Sequence, residues 1–378
     1  MKIGIVSPYY LHRPGGVQVL VCGLADYLHA KGHDVIVIAP RPRKDQDLPT
    51  APYQMELIGS SAEIKFRAPF HTTSPLAASS KKEIEALLAR HKFDVINVHE
   101  PWMPMLPYQI TMNADVPIVG TLHARWPRTA INKSLEKARS AYVRSVIARL
   151  DAITAGSSVS AANAYEADPD AQVSIIPNAI DLDAWRAALK DHAPSNKPYI
   201  LFLNRLEKRK GPLLLLKAYK ELRDMYPEDT PPLVMAGSGP LQGKLEEYAA
   251  KHELDSVEFE GYVSDDHKAE LFAGASLYVS PAPYGESFGV VLIEAMAAGT
   301  PIVAGNNEGY QSVLRGEGAL SIVDTEDTAA FAERLRVMQT NMQVRKAWQA
   351  WAEQSVDQYD FNSYAANHLK IFEDVARG

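Results

Sequence analysis

Short apolar runs that end on polar or glycine-containing loops recur along the whole chain, and between several of them the apolar positions change to helical spacing. Lys2–Val6 is a run of strand length. From Val17 to Lys31 the residues Val17, Leu20, Val21, Leu24 and Leu28 line one helical face, Gly32 stops it, and Val35–Ala39 is the next strand. That order predicts an α/β sheet with parallel strands and right-handed crossovers. Further runs at Val95–Val98, Ile118–Leu122 and Ala152–Ala155 end in His99-Glu100, in His123 and in Gly156-Ser157-Ser158. Ligands of open α/β sheets sit beyond the carboxyl ends of strands, so these are candidate site positions. The pattern restarts with a strand at Tyr199–Leu203 and a helix at Leu213–Leu222. Strands then follow at Leu233–Ala236, Val257–Phe259, Leu277–Pro281 and Ile302–Ala304. Two α/β halves without a close internal repeat predict two Rossmann-like domains facing a cleft. The tail carries Tyr364, Leu369 and Phe372 at the spacing of an amphipathic helix.

The stretch Gly285–Pro301, G-E-S-F-G-V-V-L-I-E-A-M-A-A-G-T-P, joins a glycine-bearing loop to an apolar helix from Val290 that Gly299 and Pro301 stop. A loop whose uncovered N–H groups lead into a helix N-terminus is an anion site. Glu286 lies in the loop, and Glu294 stands about two helical turns further on. If the loop takes a diphosphate, Glu294 can accept from a ribose diol and Glu286 falls near the reacting group. An ordinary strand–loop–helix with two solvated glutamates is the plainer alternative.

A chain of 378 residues with 46% hydrophobic and 22% charged positions is a well-packed protein of two or three domains. The formal charge of −7 argues against nucleic acid as a partner. The single cysteine, Cys22, excludes an internal disulfide framework and fits a reducing compartment. No run approaches the ~20 apolar residues of a bilayer span, and the opening run, which reaches Pro8, reads as a first strand. The expected location is cytoplasmic, with peripheral contact at the inner face of the plasma membrane left open. Gly15-Gly16 lacks G-x-G-x-x-G, and no acidic residue ends the second strand, so a nicotinamide-binding Rossmann site is disfavoured.

G-E-S-F-G-x-x-x-x-E-A-M-A-x-G-x-P resembles the donor-site signature of the retaining glycosyltransferase family 4, with Glu286 and Glu294 meeting its E-x7-E spacing. The loop R-L-E-K-R-K-G is similar to the family's R-x4-K-G, and I-I-P-N-A-I-D at Ile175–Asp181 to its P-N-G-V-D element, with Ala179 replacing glycine. The resemblance implies the GT-B architecture: an acceptor-binding domain at 1–174, a nucleotide-sugar-binding domain at 175–356, and a C-terminal helix at 357–378 packing back on the first. It implies Arg205 and Lys210 as a clamp on the leaving diphosphate, where fixed charge is a large catalytic term. It also implies His123 and Glu286 beside the donor sugar. Donor contacts would come from Gly15, Gly16, Val263, Asp265, Ser287, Phe288, Gly289, Val290 and Glu294. A solvated basic loop and a structural histidine are the alternatives from the residues alone.

I-G-I-V-S-P-Y…P-G-G-V-Q and V-H-E-P are similar to the phosphatidylinositol mannosyltransferase group within the family. That likeness implies GDP-mannose as donor and a lipid or polyol acceptor near Tyr9, Gln18 and Arg125. Neither cofactor nor essential divalent metal is implied; the triplets Asp168-Pro169-Asp170 and Asp181-Leu182-Asp183 are unpersuasive divalent sites. Arg125, Arg128, Lys133, Lys137, Arg139, Arg144 and Arg149 against Glu136 alone suggest docking on an anionic membrane, with a solvated helix face as the alternative. Two other readings remain: a family member using UDP-glucose or UDP-GlcNAc on a soluble or other lipid acceptor, and a non-catalytic nucleotide-sugar-binding subunit.

Overall fold

A computed structural model describes residues 1–12, 15–42, 48–66, 72–126, 133–192 and 197–378. Pro14 and Arg128 lie outside the described residues. The chain divides into two compact units, Met1–Ala179 with Phe361–Gly378, and Ile180–Asp360.

Unit 1 runs β1 (Lys2–Val6), α1 (Gly16–Ala30), β2 (Asp34–Pro40), β3 (Gln54–Ile58), β4 (Ser60–Phe66), β5 (Thr72–Ala78), α2 (Lys81–His91), β6 (Val95–His99), α3 (Leu106–Asn113), β7 (Ile118–Leu122), α4 (Lys133–Ile147), β8 (Ala152–Ala155), α5 (Ser158–Ala167) and β9 (Val173–Ile175). Seven strands form a parallel sheet in the order β3-β2-β1-β6-β7-β8-β9, and β4 and β5 form a separate antiparallel pair. The sheet strands are rich in Val and Ile because helices cover both faces. Helix α1 buries Leu20, Val21, Leu24, Ala25 and Leu28.

Unit 2 runs α6 (Leu182–Lys190), β10 (Tyr199–Leu203), α7 (Pro212–Met225), β11 (Leu233–Ala236), α8 (Gln242–Lys251), β12 (Val257–Gly261), α9 (Asp265–Gly274), β13 (Ala275–Ser280), α10 (Val290–Ala297), β14 (Ile302–Gly305), α11 (Glu308–Val313), β15 (Ile322–Val323), α12 (Thr328–Thr340) and α13 (Met342–Ser355). Its six strands are also parallel, in the order β12-β11-β10-β13-β14-β15. The last helix, α14 (Phe361–Arg377), belongs to unit 1, where it contacts α1, β6 and β7. It buries Tyr364, Ala365, His368 and Phe372, and each large apolar side chain so buried contributes about 2 kcal/mol.

Each sheet reverses its winding once. In unit 1 the reversal falls where β1 is flanked by β2 and β6, and in unit 2 where β10 is flanked by β11 and β13. Crevices beyond the carboxyl ends at such reversals are where doubly wound sheets bind ligands. Among the described residues no helix is long and apolar enough to cross a membrane.

Candidate active site

At the reversal in unit 2, the loop after β10 and the loop after β13 lie side by side. Leading out of β10, Lys208–Lys210 form a single 3-10 turn closed by Gly211, whose φ of 71° and position at the N-cap of α7 start the next helix. The turn sends Lys208 to solvent and Arg209 inward. Five charged side chains then form one alternating chain. Arg205 Nη2 lies 3.1 Å from Glu207 Oε1, and Arg209 Nη2 3.0 Å from the same atom. Arg209 Nη1 lies 2.6 Å from Glu286 Oε1, which Lys210 Nζ also meets at 2.7 Å. Three cations face two carboxylates, leaving one positive charge in excess. Glu207 and Arg209 are buried, whereas the Arg205 side chain, though paired with Glu207, is 49% exposed and within reach of a ligand. Burial pushes the Lys210 ammonium pKa down, and Glu286 beside it opposes the shift. Thus three residues expected at the site, Arg205, Lys210 and Glu286, converge, joined by Glu207 and Arg209.

The loop after β13 carries Glu286, Ser287, Phe288 and Gly289 into α10. Phe288 is buried against Tyr359, with ring centroids 5.9 Å apart, so only its backbone is available to a ligand. Gly289 is the N-cap of α10, with φ 120° and no side chain to cap the first turn. A Cβ there would lie 2.9 Å from two ring atoms of Tyr310, whose hydroxyl bonds Ser280 at 2.6 Å. Gly289→Ala is therefore expected to cost about 2–3 kcal/mol, through left-handed strain plus the displaced ring; urea unfolding gives the value, and an unchanged midpoint would refute the clash.

Glu294 sits on the buried side of α10 and is held by Lys268 of α9 at 2.7 Å. Lys268 also meets the exposed Asp265 at 3.3 Å and stacks over the Trp185 ring at 5.1 Å. Trp185 Nε1 donates to the Glu294 carbonyl at 3.0 Å. Burial raises the Glu294 pKa, and the Lys268 charge works against that rise. The expected donor residues Asp265 and Glu294 thus share Lys268 as counter-ion, and half-buried Val263 precedes them in the loop before α9. Lys268 was missed in the sequence; its place one turn after Asp265 was the available signal.

In unit 1 the ends of β6 and β7 meet. His99 Nδ1 and His123 Nε2 are 2.7 Å apart, with the rings stacked at 13°. Burial drives the His99 pKa well down, and burial reinforced by the His368 charge pushes His123 down to about 3, so both imidazoles are neutral. Glu100, which follows β6 with a φ of 52°, turns its carboxylate inward. Its Oε1 accepts the His123 N–H at 2.7 Å and the Ala124 N–H at 2.9 Å, while Oε2 accepts from Trp102 Nε1 at 2.9 Å. Burial pushes Glu100 up to about 7 despite these three donors. This buried clasp on the His123 loop was also missed; H-E-P at the end of a strand was its signal.

Tyr9 is half-buried, and burial followed by the Glu100 charge raises its phenol pKa. Gln18 folds over Gly15, where a Cβ would lie 2.5 Å from Gln18 Oε1, and its Nε2 donates to the Tyr10 carbonyl at 3.3 Å. Gly15 is the extended N-cap of α1 and Gly16 its first residue. The basic segment is largely engaged within the unit. Arg125 and Arg139 bond Glu166, at 2.5 and 3.0 Å. Arg144 donates to the Ala167 carbonyl and Arg149 to that of Ala114. Of the two aspartate triplets, Asp181 is spent as the N-cap of α6.

Residues 14–184 match the model described as Glycosyltransferase Family 4, and residues 185–355 the one described as Glycosyl transferases group 1. The chain is 33% identical over 396 aligned positions to the phosphatidyl-myo-inositol mannosyltransferase of Mycobacterium tuberculosis, covering 100% of this chain and 97% of that one. Among solved structures it resembles a glycosyltransferase from Rickettsia africae, with a TM-score of 0.76 and 18% identity over 99% and 98% of the two chains. It also resembles HepE from Anabaena, solved with UDP-glucose, with a TM-score of 0.66 and 18% identity over 98% and 99%. The structural likenesses fix the shared GT-B fold, and the full-length sequence relationship fixes the family: this chain belongs to glycosyltransferase family 4.

Proposed function

We propose that the chain transfers mannose from GDP-mannose, with retention at the anomeric carbon, to a hydroxyl of a phosphatidylinositol-like lipid. The work would be done at the inner face of the plasma membrane by a cytoplasmic protein in peripheral contact with it. The observation that carries this reading is the 33% identity to a phosphatidyl-myo-inositol mannosyltransferase over the whole chain. In this reading Arg205 and Lys210 take the donor diphosphate, helped by the N–H groups of Ser287–Val290 and of Gly15 and Gly16. Glu294 accepts from the ribose, and the loop with Val263 and Asp265 meets the base. Glu286 and His123 bond the sugar hydroxyls. His123, with its pKa near 3, acts as a neutral orienting group and not as a proton donor. The departing phosphate takes the acceptor proton on the face it leaves, so no covalent intermediate and no divalent metal are invoked. Tyr9, Gln18 and Arg125 are assigned to the acceptor.

A second reading, a UDP-sugar donor with a soluble acceptor, draws support from the internal engagement of Arg125, Arg139, Arg144 and Arg149, which lowers the charge left for lipid. Thermal shift against GDP, UDP and ADP separates the two. A ligand at a hundred times its Kd stabilises by about 2.7 kcal/mol, so GDP should raise Tm the most. A larger rise with UDP would select the second reading, and no rise with any of the three would refute both. Cosedimentation with phosphatidylinositol vesicles, weakening as salt rises, is the matching expectation for the lipid; binding to neutral vesicles as well as anionic ones would count against it.

A further inference from the structure

Both members of the proposed diphosphate clamp are already held by carboxylates: Arg205 by Glu207 at 3.1 Å and Lys210 by Glu286 at 2.7 Å. Each must loosen that contact when phosphates arrive. A buried carboxylate stripped of its cation is costly, and the Glu207 and Glu286 side chains are only 2% and 10% exposed. The cations would then stay with the carboxylates, and the clamp would be spent on the protein itself.

Arg209 removes this difficulty. One amino group of its guanidinium meets Glu207 at 3.0 Å; the other meets Glu286 at 2.6 Å and donates to the Gly285 carbonyl at 2.8 Å. The side chain is 8% exposed, unlike its solvent-facing neighbour Lys208. Gly285 makes room for the stem: with φ 78°, a Cβ there would lie 2.8 Å from Arg209 Cδ. The planar fork aims one amino group at each carboxylate and leaves a further donor for the Gly285 carbonyl, a fixed geometry that a lysine's single ammonium on a shorter reach does not impose. We infer that Arg209 is a positioning residue and the retained counter-ion of the site, holding Glu207 and Glu286 while Arg205 and Lys210 pass to the diphosphate of the donor. The assignment rests on the donor reading above. It predicts that Lys210 parts from Glu286 when a nucleotide binds, freeing Glu286 for sugar hydroxyls.

The test is calorimetric titration of GDP and UDP into the full chain and its Arg209→Lys, Arg209→Lys/Glu286→Gln and Glu207→Gln variants, each first shown to melt cooperatively. Arg209→Lys keeps the net charge but loses the fork, so it holds the two carboxylates less firmly, a clamp cation stays with one of them, and the better nucleotide should bind roughly tenfold more weakly. Adding Glu286→Gln releases Lys210 and should bring Kd back to within about threefold of the unaltered chain, a rescue that independent sites would not show. Glu207→Gln frees Arg205 and should bind as tightly or more so. Arg209→Lys binding like the unaltered chain would overturn the inference, since the position would then supply charge alone. Failure of Glu286→Gln to rescue would overturn it too, leaving Arg209 a prop for the loop. Should Arg209→Lys not fold, Glu207→Gln decides: weaker binding refutes the retained counter-ion, and equal or tighter binding upholds it. An unaltered chain that binds neither nucleotide would sink the donor reading, and this inference with it, an outcome distinct from those of the variants.

Discussion

Lys210→Ala is expected to lower sugar transfer at saturating donor by about three orders of magnitude while the protein stays folded. The ammonium stabilises charge that grows on the departing phosphate, so its loss should fall on kcat as well as on KM. Stability should change little, because Glu286 keeps Arg209 at 2.6 Å after Lys210 has gone. Glu286→Ala should produce a comparable loss of turnover with a different stability signature. It leaves the buried Lys210 without its carboxylate, an unpaired charge worth about 3 kcal/mol. Arg209 is cushioned by Gly285 and Glu207. Initial rates of nucleoside diphosphate release, measured beside urea midpoints, check both variants. Undiminished turnover in either would remove the assigned role, and equal stability losses would mean that the ion-pair chain does not bear on Glu286 as described.

Most of the parallel strands were legible because burial on both faces writes continuous apolar runs into the sequence; the three-residue, largely exposed β9 and the two-residue β15 carry no such run and were not read. Tyr199–Leu203 and the start of α10 at Val290 were read to the residue. The stretch from β3 through β5 was not read: β3 is half-buried and Gln54 and Glu56 interrupt its apolar run, and Pro75 within β5 argues against a strand in any pattern-based reading. At the site, Arg205, Lys210, Glu286 and Glu294 stood out through the motifs they share with the family, yet which charge of K-R-K turns inward depends on a 3-10 turn that spacing does not encode. Arg209 was hidden for that reason. The Glu100 clasp was hidden more deeply, since it needs a positive φ at a non-glycine residue and a partner loop more than twenty positions away. The arginines of the basic segment show the converse. Their density suggested a free cationic face, but Glu166 and two backbone carbonyls, all remote in sequence, take up four of them.

Acidification from pH 7 to 4.5 should destabilise unit 1, and His368 should account for a measurable share. A one-way hydrogen-bond chain fixes this imidazole. Asn97 Nδ2 donates to Thr121 Oγ1 at 2.8 Å, and with the Thr154 proton turned to His368 the Thr121 hydroxyl is left to donate to Thr154 at 2.9 Å. His368 Nδ1 lies 3.0 Å from the Tyr364 carbonyl, which can only accept; Nε2 is therefore the bare nitrogen that receives the Thr154 hydroxyl at 3.4 Å. A proton on Nε2 would turn the Thr154 hydroxyl away to its other acceptor, the Gly120 carbonyl 3.5 Å off, a weaker bond. Burial accordingly pushes the His368 pKa down to about 4. The unfolded chain, with an ordinary value of about 6.5, binds the extra proton first. Stability from this group is fully present above pH 6.5 and is lost as pH falls toward 4, by about 3 kcal/mol in all. His99, fully buried and also driven down, adds loss of the same sign. Glu100, pushed up to about 7, acts in the opposite sense: its folded form keeps a proton between pH 4.5 and 7, offsetting part of the loss. Glu294, also raised by burial, acts in the same sense as Glu100, but the three histidines of unit 1 that burial drives down, His99, His123 and His368, outnumber these carboxylates, so the net slope should favour neutral pH. Unfolding free energies at pH 4.5, 5.5 and 7 test this in the unaltered chain and in His368→Gln, whose amide oxygen can still accept from Thr154. The variant should take up about one proton fewer on unfolding between pH 4.5 and 6. An unchanged pH slope would show that His368 already carries its proton in the fold, and the hydrogen-bond direction derived for the Asn97–His368 chain would be wrong.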